Sequence, residues 1–249
     1  MGAGQRLVEP FAGSAAVFLN TDYTSYLLAD SNRDLINLYQ QLKTEGETFI
    51  RYCRVFFTAK NNSGNAYYEL RSLFNKAEDV GLKSALFVYL NRHCYNGLCR
   101  YNASGEFNSP FGRYTKPYFP EKEMLYFQHK AGQAEFLHAK FQETLRRVQR
   151  GDIVYCDPPY APLSKTACFT DYAAGGFSWE NQMELAEWAG RLAHKGIQVV
   201  ISNHNIKAIK ELYEEAGAAT KRFMVRRMIS CQVNNRARVG ELLAIFQPA

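Results

Sequence analysis

The sequence predicts an α/β fold, with a mostly parallel, doubly wound sheet and a mainly helical insertion after the second strand. Short apolar runs alternate with helical periodicity in residues 7–30 and again from about residue 136 to the end. This alternation is typical of parallel sheets covered by helices. Between these parts, residues 33–93 show helical spacing and residues 94–120 form a loop-like stretch. We therefore expect residues 1–32 and 121–249 to form the sheet domain and residues 33–120 to form an inserted domain.

The first segment predicts a strand, a turn, a short helix and a second strand. Leu7–Phe11 ends the first strand, Ala12–Ala16 is a turn of small residues, Val17–Asn20 continues as a helix, and Tyr26–Asp30 is the second strand. A small-residue turn lets a ligand approach backbone N–H groups at a helix N-terminus. A carboxylate at the end of the second strand can bind ribose hydroxyls, although Asp30 could instead cap a helix that starts near Asn32.

The insertion combines helices with an aromatic and basic loop. Apolar residues recur at helical spacing in two places, which are Leu35, Leu38, Tyr39 and Leu42, and Leu82, Ala85, Leu86, Tyr89 and Leu90. Residues 33–120 hold 12 Lys and Arg against 7 Asp and Glu, whereas the rest of the chain holds 18 against 17. One segment thus carries nearly all of the net charge of +6. This asymmetry suggests a polyanionic partner, although solvated helix faces would give the same count.

The second half restores the alternation of strands and helices. The predicted elements are a strand at Glu135–His138, a helix near residues 140–149, a strand at Ile153–Cys156, a helix capped by Ser178, a strand at Ile197–Ser202, a helix over about 206–216, and a closing antiparallel pair at Phe223–Ile229 and Glu241–Phe246.

Composition excludes several classes of protein. Hydrophobic residues make up 47% and charged residues 22% of the 249, which is ordinary for a globular protein. No apolar run approaches the roughly 20 residues needed to span a membrane, and the N-terminus lacks a signal-peptide core. The six cysteines form no C-x-x-C pair and no zinc-like spacing with histidine. We expect reduced packing thiols in a cytoplasmic protein, and no metal.

The stretch Asp157-Pro158-Pro159-Tyr160 directly follows the apolar run Ile153–Cys156. It combines a hydrogen-bond acceptor, a stiff backbone and an aromatic face. Proline restricts the residue before it and has no N–H, so the carbonyls here are held outward. This set suits an amino group on a flat ring, because the carboxylate accepts its N–H and the tyrosine can stack on the ring. D-P-P is also a common turn, and the motif needs its structural context.

The order of these motifs resembles that of the Dam-type DNA adenine methyltransferases. The resemblance includes Glu9-Pro10-Phe11-Ala12-Gly13, Leu28-Ala29-Asp30, Asp157–Tyr160 and Ile201-Ser202-Asn203-His204. Its most specific block is Tyr95-Asn96-Gly97-Leu98-Cys99-Arg100-Tyr101-Asn102. It implies a Rossmann-like S-adenosylmethionine-dependent methyltransferase sheet with an inserted, mainly helical DNA target-recognition domain. It also implies S-adenosylmethionine as donor, N6 of adenine in double-stranded DNA as acceptor, GATC as target, and a monomeric protein.

The resemblance assigns roles to individual residues. The methyl-transfer site comprises Asp157, Pro158, Pro159 and Tyr160, with the carboxylate and the Pro158 carbonyl accepting the amino hydrogens of an adenine flipped onto Tyr160. Cofactor contacts are expected at Phe11, Gly13, Asp30 and Asp157. Arg100 is expected to bond a guanine, Tyr95 to insert into the duplex, and Asn96 to contact it nearby. Further DNA contacts are expected at Arg71, Leu98, Asn102, Arg113, Tyr114 and Lys116, whereas Phe107, Phe111 and Phe119 are expected in the core of the insertion.

The chain departs from the family pattern on the cofactor side. The W-x-G-G-K segment that precedes the first strand in the family does not occur, and Ala15 occupies the position of a family glycine. If residue 15 has a positive φ, alanine costs on the order of 1 kcal/mol there. The alternative to a site-specific adenine methyltransferase is therefore a DNA-binding protein of the same fold with weak or no methylation. An RNA guanine-N2 methyltransferase also uses a D-P-P-Y-like site, but it is not expected to carry this insertion.

Overall fold

The computed structural model describes residues 5–161, 177–226 and 238–248. The chain forms two compact units: unit 1 holds Met1–Ser31 and Ala139–Ala249, and unit 2 holds Asn32–His138. The helical unit begins at residue 32, one residue before the expected start of the insertion at residue 33. It ends at residue 138 instead of the expected residue 120. The reason is that a helix at Glu121–Ala131 and a strand at Ala134–His138 pack against helices of the insertion.

The strands, in chain order, are β1 (Arg6–Glu9), β2 (Ser25–Asp30), β3 (Ala134–His138), β4 (Asp152–Cys156), β5 (Gln198–His204), β6 (Ala219–Arg226) and β7 (Arg238–Phe246). The helices are α1 (Ala16–Leu19), α2 (Arg33–Thr44), α3 (Gly46–Arg54), α4 (Gly64–Lys76), α5 (Val80–His93), α6 (Glu121–Ala131), α7 (Phe141–Leu145), α8 (Trp179–His194) and α9 (Lys207–Glu215). The loop after α5 begins with a 3₁₀ turn at Tyr95–Gly97.

The strands of unit 1 form a sheet in the order β2-β1-β4-β5-β7-β6. Strands β2, β1, β4 and β5 run parallel, and β7 runs antiparallel to both β5 and β6. The predicted α/β class, its parallel strands and its closing antiparallel pair are confirmed. The first strand of that pair begins at Ala219, earlier than predicted, and residues 227–229 lie outside the described part of the chain.

Strand β4 lies between β1 and β5, so the D-P-P-Y stretch follows a central strand. Its residues Ile153, Val154 and Cys156 are buried, as expected for a strand covered on both faces. The carboxyl ends of parallel strands meet at one edge of a sheet, where ligands bind in such folds. This edge gathers the ends of β1 and β2, at Glu9 and Asp30, and the residue after β4, Asp157.

Several helix ends agree with the sequence. Ser178 caps α8 through a hydrogen bond that its hydroxyl accepts from the Asn181 N–H at 3.3 Å. Helix α2 is capped by Asn32, whose Oδ1 accepts from the N–H groups of Asp34 and Leu35, and this corrects the alternative that Asp30 is its cap. Helix α7 is shorter than predicted, and α6 was not predicted at all.

Unit 2 is a helical unit with its own apolar core, and residues 33–93 are mostly helical as predicted. Helix α5 is buried along most of its length and packs against α2, α3 and α4. Phe107 is 1% exposed in this core, and Phe111 packs partly buried against it. Phe119 packs edge-on against Phe57 with ring centroids 4.8 Å apart. The expected core packing is therefore confirmed for Phe107 and Phe111, whereas Phe119 is only partly buried and lies beside this core.

Burial of the cysteines agrees with the sequence at most described positions. Cys53, Cys94 and Cys156 are buried thiols, whereas Cys99 is exposed and corrects the expectation of a packing residue there. Cys168 and Cys231 lie outside the described residues. Within the described ranges, no helix is long and apolar enough to cross a membrane.

Candidate functional site

A cleft of about 440 Å³ opens at the carboxyl edge of the sheet in unit 1. The residues that line it come from the ends of β1, β2 and β4 and from the turn before α1. They are Glu9, Phe11, Ala12, Gly13, Ser14, Ala16, Val17, Asp30, Ser31, Tyr155, Asp157, Pro158, Pro159 and Tyr160. All the residues predicted for the acceptor site and for the cofactor therefore meet in one cleft, which is within the usual size range of small-molecule sites.

The D-P-P-Y stretch is held in place by side chains of α8 and β5. Gln182 Nε2 donates to the Pro159 carbonyl at 3.1 Å, and the Ala161 N–H donates to Asn203 Oδ1 at 3.1 Å. A His204 ring nitrogen lies 2.7 Å from the Ala161 carbonyl. Several partners therefore fix the backbone of residues 159–161, directly after Asp157 and Pro158.

Asp157 and Pro158 both line the cleft. Asp157 is exposed, and its Oδ1 accepts a hydrogen bond from the Ser202 hydroxyl at 2.6 Å. Among the described residues, none donates a hydrogen bond to the Pro158 carbonyl. The Tyr160 ring packs edge-on against His204, with centroids 4.9 Å apart. The arrangement thus offers a carboxylate, a carbonyl and an aromatic face within one short segment.

The turn before α1 is joined to the end of β2. The Gly13 N–H donates to Asp30 Oδ2 at 3.0 Å, so the carboxylate at the end of the second strand contacts the small-residue turn. Ala15 has φ 57° and ψ 28°, in the left-handed region, and Gly13 also has a positive φ. Alanine therefore adopts the strained conformation anticipated from the sequence.

Phe11 belongs to an aromatic group that sequence reasoning missed. Its ring stacks on that of Phe141, with the ring centroids 5.5 Å apart, and packs edge-on against that of Phe177, with the centroids 5.4 Å apart. The three rings line a second hollow of about 340 Å³ together with Ser31. Local sequence carries no signal for this group, because Phe141 and Phe177 reach Phe11 only through the fold of unit 1.

Glu9 is a second site residue that sequence reasoning missed. The residue is only 3% exposed, and its Oε1 has no hydrogen-bond partner among the described residues. The pKa of Glu9 is raised to about 8, mainly by burial and to a smaller extent by the negative charge of Asp157. A hydrogen bond from the Phe18 N–H lowers the pKa and offsets part of this increase. The available signal was its position, since Glu9 ends a parallel strand as Asp30 does.

The DNA-contact candidates lie in unit 2, most of them in the loop after α5. Tyr95, Leu98 and Tyr114 expose 42%, 41% and 40% of their surface. The Asn96 N–H donates to the Tyr114 hydroxyl at 2.9 Å, and both Asn96 and Arg113 have positive φ values. The loop is therefore a fixed structure that presents large side chains to solvent.

Arg100 is oriented by a neighbour, Asn108. Its Nε donates to Asn108 Oδ1 at 2.7 Å, and its Nη2 donates to the Asn108 carbonyl at 3.2 Å. The Nη1 hydrogens and the outer Nη2 hydrogen face away from these two bonds and suit a bidentate contact. Asn108 was not among the predicted site residues.

The other candidates differ in how they are held. Arg71 Nη1 donates to the Ser109 carbonyl at 3.0 Å, and its guanidinium lies over the Tyr68 ring. Asn102 builds the next turn, since its Oδ1 accepts from the N–H groups of Ser104 and Glu106. Lys116 is exposed. Among the described residues, no group of three or more His, Cys, Asp or Glu side chains could hold a metal ion.

Comparison with known proteins identifies the family. Residues 2–228 match the family described as D12 class N6 adenine-specific DNA methyltransferase. A DNA adenine methylase of Serratia marcescens is 46% identical over 246 residues, which cover 98% of this chain and 90% of the relative. The DNA adenine methylase of Escherichia coli strain K12 is 47% identical over 98% of this chain and 87% of its own length. The DNA adenine methylase of Vibrio cholerae O395 is 48% identical over 98% of this chain and 88% of its own length.

Proposed function

Because the chain belongs to the D12 class of N6 adenine-specific DNA methyltransferases, we propose that it methylates N6 of an adenine flipped out of duplex DNA, within the sequence GATC and with S-adenosylmethionine as donor. That the protein is an adenine-specific DNA methyltransferase follows from the family and from its close relatives. The donor, the target sequence, the flipped base and the roles of individual residues constitute the proposal.

The observation that carries the proposal is the single cleft joining Asp157–Tyr160 to Asp30 and Gly13. The N6 lone pair of adenine is delocalised into the ring, so the amino group is a weak nucleophile. Two fixed acceptors, Asp157 and the Pro158 carbonyl, draw the nitrogen toward a pyramidal geometry, and Tyr160 stacks on the extruded base. Positioning and electrostatics supply most of the rate. The methylated nitrogen is briefly cationic and loses a proton readily, so no strong general base is assigned.

The residues on the other side of the cleft fit the proposed donor. The carboxylate of Asp30, at the end of β2, suits ribose hydroxyls, and the Phe11 ring offers an apolar face for an adenine. S-adenosylmethionine supplies an electrophilic methyl group on a sulfonium sulfur. Asp157 lines the same cleft and can contact both substrates.

Unit 2 is the proposed reader of the target, and unit 1 carries the chemistry. Arg100 would bond guanine O6 and N7 in the major groove, and Tyr95 would fill the gap left by the flipped base. Asn96, Leu98, Asn102, Arg113, Tyr114, Arg71 and Lys116 are the further proposed contacts. The loop's exposed aromatic residues and its cations support this role, and the protein is proposed to act as a monomer.

The test is protection of duplex DNA from methylation-sensitive cleavage. DNA with GATC sites is incubated with protein and S-adenosylmethionine and then cut with a nuclease that cleaves only unmethylated GATC. We expect full protection by the wild-type protein. Asp157→Ala should give none while duplex binding, measured by fluorescence anisotropy, is largely retained. Methyl incorporation without protection at GATC would overturn the target, and full activity of Asp157→Ala would overturn the acceptor site.

A further inference from the structure

Ser202 on β5 lies beside the carboxylate of Asp157. The parallel register pairs Cys156 of β4 with Ile201 of β5, so the following residues, Asp157 and Ser202, emerge side by side. Ser202 Oγ is 2.6 Å from Asp157 Oδ1 and 3.2 Å from the Cys156 carbonyl. A hydroxyl has one hydrogen, and the short contact with a carboxylate is the stronger of the two bonds. The hydroxyl therefore donates to Asp157.

A serine is unexpected at this position for packing reasons. Ser202 is 2% exposed, and it follows Val199, Val200 and Ile201, which are buried apolar residues. Burying a hydroxyl is unfavourable unless it is hydrogen-bonded. The hydroxyl is therefore explained by what it binds.

Asp157 needs such a partner because its side chain is exposed. The proline after it restricts its backbone, but it does not determine the rotation of the carboxylate. The bond from Ser202 restricts that rotation by holding one carboxylate oxygen toward β5, and the Tyr160 hydroxyl lies beside the same carboxylate.

We propose that Ser202 is a positioning residue that holds Oδ1 of Asp157 so that the other carboxylate oxygen is presented to the amino group of the target adenine. This inference rests on the proposed role of Asp157 as an acceptor. Ser202 is not among the residues that line the cleft, so its proposed action is through Asp157. The hydroxyls of Tyr155 and Tyr160 also lie next to Ser202, and that of Tyr160 reaches Asp157 as well. The serine oxygen can accept from a tyrosine hydroxyl while it donates to the carboxylate.

The rest of the segment does not depend on Ser202. Gln182, Asn203 and His204 hold the backbone of residues 159–161. Removing the Ser202 hydroxyl should therefore release the carboxylate and leave the segment and the cofactor side of the cleft in place. This separation makes the role testable.

The experiment compares Ser202→Ala with Ser202→Thr, which keeps the hydroxyl. The matched control is Ser84→Ala, because the buried Ser84 hydroxyl has no hydrogen-bond partner among the described residues. Single-turnover methyl transfer is measured with saturating duplex and S-adenosylmethionine. The Kd for duplex, the Kd for S-adenosylmethionine and the Tm of each variant are measured separately. Crystal structures of the wild type and of Ser202→Ala report the orientation of Asp157.

We expect Ser202→Ala to slow methyl transfer by about 10- to 100-fold, as small misplacements in an active site do. Its Kd values should stay within about threefold, Ser202→Thr should recover most of the rate, and Asp157 should be turned or split between conformers in Ser202→Ala. If Ser202→Ala transfers methyl groups at the wild-type rate, or if its Asp157 carboxylate keeps the wild-type orientation, the proposal is overturned. It is also overturned if the loss of rate accompanies a large fall in Tm or in affinity for the cofactor. If the wild-type protein itself fails to methylate, the proposed function fails, and the orientation of Asp157 in the two crystal structures still decides the role of Ser202.

Discussion

Glu9 brings a buried carboxyl group to the edge of the cleft, where two other carboxylates lie. Its pKa is raised to about 8 by burial, so near neutral pH the folded protein keeps a proton that the unfolded chain releases. Between about pH 4.5 and pH 8 the folded state binds more protons, and its stability therefore falls as the pH rises. Below this window Glu9 is protonated in both states, and above it in neither.

Glu9→Gln should remove this pH dependence. The glutamine stays neutral, so the variant should gain stability relative to the wild type as the pH rises from 5 to 8, by up to about 1.4 kcal/mol per pH unit. Urea denaturation of the cofactor-free protein at both pH values measures the difference. Glu143→Gln, at an exposed position on α7, is the control and should show no such trend. If the free energies of unfolding of Glu9→Gln and the wild type differ by the same amount at pH 5 and pH 8, Glu9 is not protonated as proposed.

At the scale of elements, the strands of the sheet and the larger helices could be predicted because their signals are local. The apolar run before Asp157 and the serine cap of α8 are examples, and both lie where expected. Helix α6 was missed although Met124 and Phe127 are buried at helical spacing, because its N-terminus has no side-chain cap. The roles of Ser202 and Asn108 depend on strand register and loop closure, which residue order alone does not reveal.

The loop after α5 gives Arg100 a fixed direction through Asn108, and this has a measurable consequence. Arg100→Ala should relax discrimination at one base pair of the target by about 1–3 kcal/mol. Asn108→Ala keeps the charge of Arg100 but removes the acceptor of its Nε, so it should lose part of the same discrimination. The measurement is kcat/KM for GATC and for duplexes in which the guanine is replaced.

Asn108→Asp is the matched control for that experiment, because it retains an acceptor for Arg100 and should keep most of the discrimination. Unchanged discrimination in Arg100→Ala would remove the residue from the reading surface. If Arg100→Ala relaxes the discrimination but Asn108→Ala leaves it intact, orientation by Asn108 is not required.

Over the whole molecule, the charge excess of residues 33–120 is not uniformly available to a partner. Arg54 is paired with Glu121, Lys83 with Asp34, and Arg51 with Glu47, so part of this positive charge is already paired within unit 2. Exposed cations remain in the loop after α5, among them Lys116, and also elsewhere in this segment, at Lys60 and Lys76. Net charge alone therefore overstates the electrostatic contact with DNA, and the salt dependence of binding is the quantity that measures it.

Duplex binding should weaken steeply with salt, with a slope of about −0.9 in log K against log salt for each phosphate neutralised. Lys116→Ala should lower the magnitude of that slope by about 1 and weaken binding to all sequences alike, because a phosphate contact carries no sequence information. The control is Lys207→Ala, which removes an exposed lysine of α9 whose Nζ lies 3.5 Å from Glu211 Oε1. Its slope should equal that of the wild type. Equal slopes for Lys116→Ala and the wild type in fluorescence anisotropy titrations would place Lys116 outside the DNA contact, whereas a loss confined to GATC duplexes would make it a base contact.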